Sequence, residues 1–331
     1  MKNLIIDIEK HFSVAYKLYG PCDYFSPVIP LNILKPLQPI PTAEKIEKIY
    51  DIKIVTNHNE LEKEYEYIFI VFPINSFNDP EYTDLNDIEE RRIIFKQLYG
   101  KVINNIKFKK IIYLDDNDRG VISSGLKWMD SQNLKVDYVF KREYKKSFKS
   151  DYDDRVFPAP WLIFGDPNPI WLLFEKRKLG SEQINECFWA GGAASRTAPD
   201  DVIFDRTSIL NIIQNNITVK NNLSRTDFLN NFNTYKFFLH LNGNGHICKR
   251  LYEGLSGDSL MLMEEMDIVF PFDDFFAEEC LFKTGEEFLI KFEKLKNDQN
   301  LYNKCKDKQE EIIKKYLNYD WIKNYTFSKI I

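Results

Sequence analysis

Apolar runs of strand length alternate with amphipathic stretches of helical length along this chain, and that alternation limits the possible folds more than any single motif. Asn3 to Ile8, Ile52 to Thr56, Tyr67 to Phe72, Lys110 to Leu114 and Val136 to Phe140 are β-branched or aromatic runs. Such near-continuous apolar runs suit strands buried on both faces. Leu85 to Ile103 has helical apolar spacing, and Ser123 to Gln132 reads as a shorter helix. A second alternation starts with a strand over Cys187 to Ala190, a helix over Thr207 to Gln214 and a strand over Tyr235 to Leu241. It continues through a strand over Leu260 to Met263 and helices over Gly285 to Lys296 and Leu301 to Leu317. This order predicts parallel sheets covered by helices on both faces.

At 331 residues the chain exceeds what one core usually holds. The expected fold class is therefore α/β, with two Rossmann-like lobes facing an interdomain cleft. The Pro-, Trp- and Gly-bearing stretch 155–169 marks the crossover. It gives an N-terminal lobe over 1–165, a second lobe over 166–310 and a C-terminal helix, 311–331, packing back toward the first.

Several function classes are excluded at this stage. With 45 basic against 50 acidic residues and a formal charge of −5, no continuous basic footprint for duplex nucleic acid emerges, so no nucleic-acid partner is expected. The longest apolar stretch, Trp161 to Phe174, is interrupted by Asp166, Pro167 and Pro169, well short of the roughly 20 residues of a membrane span. The start is too acidic for a signal peptide. Five scattered cysteines without a CxxC or Cys/His cluster read as reduced thiols, and a cytoplasmic location is expected.

Residues 237–263 are the most informative part of the sequence: strand, glycine-bearing loop, short helix, strand. Gly243 and Gly245 let backbone approach a ligand, and a helix opening near His246 offers N–H groups to phosphate oxygens. Leu251 and Leu255 are expected to bury against the sheet, leaving Lys249, Arg250 and Glu253 on a more exposed face. A cation pair beside a carboxylate suits a sugar nucleotide, with the cations on the diphosphate and the carboxylate on ribose hydroxyls. As an ordinary helix face, the same three residues would be a solvated salt-bridge surface. His240, on the apolar strand, reads as a core histidine.

The run Gly243-x-Gly245 followed by Lys249-Arg250-Leu251-Tyr252-Glu253-Gly254-Leu255, a strand, and Phe270-Pro271-Phe272 resembles the donor-binding half of GT-B glycosyltransferases. The likeness is to the exostosin-like and spore-coat-protein types and spans about the last ~100 residues. It implies that Arg250 binds the donor diphosphate and Glu253 the donor ribose. Phe140-Lys141-Arg142-Glu143-Tyr144 and Phe157-Pro158-Ala159-Pro160 are similar to segments that end the acceptor domain of such enzymes. The small-residue run Ala190-Gly191-Gly192-Ala193-Ala194-Ser195, flanked by Arg196 and Arg206, resembles their Gly-rich turn. Gly191, Gly192 and Arg196 thereby join the candidate donor residues; a plain tight turn is the other reading.

The resemblance implies transfer of a sugar from a nucleotide-sugar donor to the hydroxyl of a glycan or other acceptor. No resident cofactor and no required metal are expected, since the nucleotide sugar is substrate. Asp115 and Asp116, after a strand, are the candidate bases for the acceptor hydroxyl; consecutive acids there also cap helices or solvate loops. Asp116-Asn117-Asp118 matches as well the D-x-D pattern with which GT-A glycosyltransferases hold a divalent ion, which leaves a metal-dependent enzyme as the alternative. A non-catalytic nucleotide- or glycan-binding module is the other.

Overall fold

The computed structural model describes residues 3–6, 52–55, 64, 66–71, 93, 96, 99–100, 103–115, 120–122, 124–159, 182–191, 196–197, 203–204, 206–220, 223, 225–242, 249–272, 276–316 and 319–330. The first sheet contains β1 (Asn3–Ile6), β2 (Ile52–Val55), β3 (Tyr67–Val71), β4 (Lys110–Asp115), β5 (Tyr138–Lys141) and β6 (Val156–Pro158). Its strands lie in the order β2-β1-β3-β4-β5-β6, and each pairing is parallel. Helix α1 (Ser124–Ser131) connects β4 to β5. Ile68, Ile111, Tyr113, Leu126, Met129 and Val139 form the heart of this core.

The second sheet is built from β7 (Ile184–Ala190), β10 (Thr218–Lys220), β11 (Tyr235–His240), β12 (Leu260–Glu264) and β13 (Leu281–Phe282). They lie in the order β10-β7-β11-β12-β13, again all parallel. A separate antiparallel pair is formed by β8 (Arg196–Thr197) and β9 (Ile203–Phe204). The crossovers include α2 (Arg206–Ile213), α3 (Arg225–Thr234), α4 (Lys249–Ser256) and α5 (Gly285–Asn297), followed by α6 (Gln299–Tyr316) and α7 (Tyr319–Ile330).

The apolar runs are continuous because both faces of this sheet are covered. Successive residues of a strand point to opposite faces. Phe188, Phe238, Met261 and Met263 enter one core, while their neighbours Cys187, Trp189, Phe237, Leu239, Leu260 and Leu262 enter the other. In the second of these, Phe237 meets Phe292 of α5 edge-on at 5.2 Å and Tyr302 of α6 at 5.3 Å. Each such buried aromatic contributes about 1.5–3 kcal/mol. Helix α5 starts at a capping box: Thr284 accepts from the Glu287 main-chain N at 3.2 Å, and the Glu287 carboxylate accepts from the Lys283 main-chain N at 2.9 Å.

Two sets of contacts join the halves. The Val269 main-chain N donates to Tyr144 O at 2.8 Å and the Lys146 N to Asp267 O at 3.3 Å, with Lys145 and Ile268 in antiparallel bridge. From α7, the Tyr325 hydroxyl donates to Pro158 O at 2.9 Å, and Phe327 lies 5.4 Å from the Tyr67 ring. The final segment is divided, with α6 ending at Tyr316 and α7 beginning at Tyr319.

Candidate functional site

Both sheets follow one winding rule. In chain order each reads second-first-third-fourth, so the chain leaves the first strand in one direction and the third strand lies on its other side. In such sheets ligands sit beyond the carboxyl ends of the strands where the order reverses. In the second sheet that place is the gap between β7 and β11. The residues there are Ala190 at the end of β7 with Gly191 after it, and Leu241 and Asn242 after β11.

Two of the sequence-chosen residues meet here. A Cβ on Gly191 would lie 2.8 Å from Arg250 Nη2 and 2.9 Å from Nη1. Gly191 follows the strand and Arg250 stands in the first turn of α4, so the absent side chain lets the guanidinium lie against main chain. Glu253, one turn further along α4, is 1 % exposed. This corrects the expectation of a more exposed position for Glu253, while Arg250 is half-buried. Leu251 and Leu255 do bury against the sheet, but α6 covers another side of the unit. Gln309 of α6 accepts from the Met261 main-chain N at 2.9 Å and donates to Ser259 O at 3.0 Å, and Lys306 donates to Gly257 O at 3.2 Å. A carboxylate enclosed in this way is unlike an ordinary surface glutamate, because burying it requires polar partners.

Gly191→Ala is expected to displace the guanidinium rather than the fold, since the crowded atoms are the far end of a flexible side chain. The melting temperature should therefore stay near that of the parent, which a thermal melt checks.

Asn242 and Arg206 were not among the sequence-chosen site residues. Arg206, the first residue of α2 and 6 % exposed, donates through Nε to Asn242 O, and the Asn242 main-chain N donates to Glu264 Oε2 at 2.8 Å. The exits of three crossovers are thereby tied at one edge. Asn242 could have been singled out as the polar residue between an apolar strand and a glycine.

At the carboxyl edge of the first sheet, Asp115 ends β4 and is 1 % exposed. Its Oδ2 accepts from Lys141 Nζ at 3.1 Å, and both side chains are fully buried. The Asp115 main-chain O accepts from the Arg142 N at 2.9 Å. Nearby, the Tyr152 hydroxyl donates to Gly120 O. Burial holds the Tyr152 phenol well above its ordinary value, so it remains a donor. Lys141 could have been noticed as a lysine at the end of an apolar strand beside an aspartate-ended one.

Gly192, Gly243, Gly245, His246, Asp116 and Asp118 lie outside the described residues, as do Trp161 and Trp171. Lys249 and Arg196 are described in backbone only, the first opening α4 and the second in β8. His240 and Trp189 are fully buried. Among the described residues no group of His, Cys, Asp and Glu could hold a metal ion, and no helix is long and apolar enough to cross a membrane.

No protein-family model and no curated protein matches the chain. Among solved structures it is similar to a DNA-modifying β-glucosyltransferase determined in the presence and absence of its substrate uridine diphosphoglucose. That likeness has 12 % identity and a TM-score of 0.52, and it covers 100 % of both chains. A T4 phage β-glucosyltransferase in complex with UDP-glucose matches at 13 % identity and a TM-score of 0.48, over 100 % of this chain and 99 % of that one. The first likeness carries the fold over the whole length and does not extend to the exostosin-like or spore-coat type. The chain is an α/β protein of two Rossmann-like lobes in the GT-B manner.

Proposed function

We propose that this chain is a glycosyltransferase that moves a sugar from a nucleotide-sugar donor to an acceptor hydroxyl. The observation that carries the reading is the Gly191–Arg250 contact at the switch point of the second sheet, with the buried Glu253 one turn on. Arg250, with Lys249, Arg196 and the N–H groups near Gly191, Gly192, Gly243, Gly245 and His246, takes the diphosphate, and Glu253 accepts from the ribose hydroxyls. The acceptor oxygen attacks the anomeric carbon as the bond from that carbon to the diphosphate oxygen breaks. The diphosphate leaves with the bonding electrons, stabilised by the cations, and the hydroxyl proton passes to a carboxylate if configuration inverts. Asp115 is enclosed and paired with Lys141, so Asp116 is the proposed base.

The fold likeness to an enzyme that uses uridine diphosphoglucose supports UDP-glucose as the first donor to test. The preferred acceptor is a glycan hydroxyl, in keeping with the net charge of −5. Because that neighbour modifies DNA, DNA is the second acceptor to test. The proposed location is cytoplasmic, and the reaction is proposed to need no metal. A panel of UDP-, GDP- and CMP-sugars is expected to contain a ligand that raises the melting temperature, and nucleoside diphosphate should then appear only with acceptor. Binding without turnover on any acceptor would favour a non-catalytic module. Loss of turnover in chelator, restored by a divalent ion, would favour the metal-dependent alternative through Asp116 and Asp118.

A further inference from the structure

Asn242 follows β11 at the switch point of the second sheet and is 2 % exposed. Its main-chain N and O are engaged with Glu264 and Arg206, and its Nδ2 donates to Glu265 O at 3.4 Å. This last contact orients the amide, since the flipped form would set two acceptors against each other. Among the described residues, Oδ1 is left buried without a hydrogen-bond partner. Such an acceptor is costly in the ligand-free protein, and native structures hold few of them. Here it stands on the edge of the sheet where ligands bind, so the missing partner is best supplied by the ligand. A phosphate oxygen would be repelled, which leaves an O–H or N–H group.

The order of groups in a nucleotide sugar narrows the choice. With the diphosphate at Arg250 and the ribose at Glu253, one turn further from the start of α4, the transferred sugar falls on the opposite side of the diphosphate. Asn242 follows the strand that precedes α4, and it is on that side that we place the sugar. We infer that Asn242 Oδ1 accepts a hydrogen bond from a hydroxyl of the transferred sugar, which makes Asn242 a specificity residue. This rests on the donor reading above, and binding has to uncover the atom.

Asn242→Leu removes the acceptor while keeping the branching at Cγ, and Asn242→Asp keeps it. Affinities for UDP and UDP-glucose are measured by calorimetry on the full chain, beside thermal melts. The expected result is that Asn242→Leu weakens UDP-glucose at least tenfold and leaves UDP within twofold, while Asn242→Asp retains more of the UDP-glucose affinity. Equal weakening of both ligands, or of neither, overturns the inference and leaves the donor reading intact. A parent chain that binds neither ligand removes both.

Discussion

Arg250→Ala is expected to weaken binding of the nucleotide-sugar donor by about 30-fold to 1,000-fold, the equivalent of about 2–4 kcal/mol for truncating one partner of an enclosed charged pair. The guanidinium lies against Gly191 in a half-buried position, where a bound diphosphate would exchange water for a fixed planar fork of donors. Turnover should fall beyond the loss of affinity, since negative charge grows on the leaving diphosphate in the transition state. Arg250→Lys keeps the charge and loses the fork, and is expected to fall between parent and alanine. Glu253→Gln holds the shape of a 1 % exposed side chain while removing the charge proposed to accept from ribose. It should cost about 1.5–3 kcal/mol of donor affinity for a charged hydrogen bond. Glu253→Ala is a poorer probe, because a cavity in a packed helix costs stability on its own account. The check is donor affinity by calorimetry beside the melting temperature of the unliganded variants. If Arg250→Ala and Glu253→Gln both bind donor as the parent does, the donor site lies elsewhere.

Local patterning carries far in this chain, and it fails where burial is decided by partners distant in sequence. β11 is legible because Tyr235 to His240 is apolar on both faces, and both faces are covered, by the Phe238 side and the Phe237 side of two different cores. β10 and β13, of three and two residues, are too short to show a period and become strands only by pairing with β7 and β12. Helix α3 carries Asn230, Asn231 and Asn233, poor helix formers, and is held by Phe232 packing on Phe188 and Phe238, with Phe228 against Phe232. At the site, the Gly191–Arg250 approach was accessible only as two separate motifs, since nothing in 58 intervening positions says that they meet. The burial of Glu253 was misjudged for the same reason: the helix that encloses its unit begins at Gln299.

The largest expected change in stability belongs to the first lobe. Lys141→Met leaves the Asp115 carboxylate without its ammonium partner where both side chains are fully buried, and breaking such a pair from one side costs about 3–5 kcal/mol. At about 2–4 °C per kcal/mol for domains of this size, the first lobe should melt roughly 6–20 °C lower. Asp115→Leu should be similarly damaging, because it leaves the lysine buried. The double variant Asp115→Leu/Lys141→Met removes both charges and their desolvation together, and is expected to recover most of the loss. Denaturant melts of the four proteins give the coupling directly. Singles that cost under about 1 kcal/mol, the range of an exposed pair, would show that the charges are solvated rather than enclosed. A double variant no better than its singles would show that these side chains pack in ways apolar groups cannot replace. The same double variant separates structure from chemistry. If it folds, binds donor and still turns over, Asp115 is an anchor at the end of β4 and the base lies beyond it, as proposed for Asp116. If it folds and binds donor but is inert while Asp116→Asn is active, the proton goes to Asp115, and the 3.1 Å contact with Lys141 must open during the reaction.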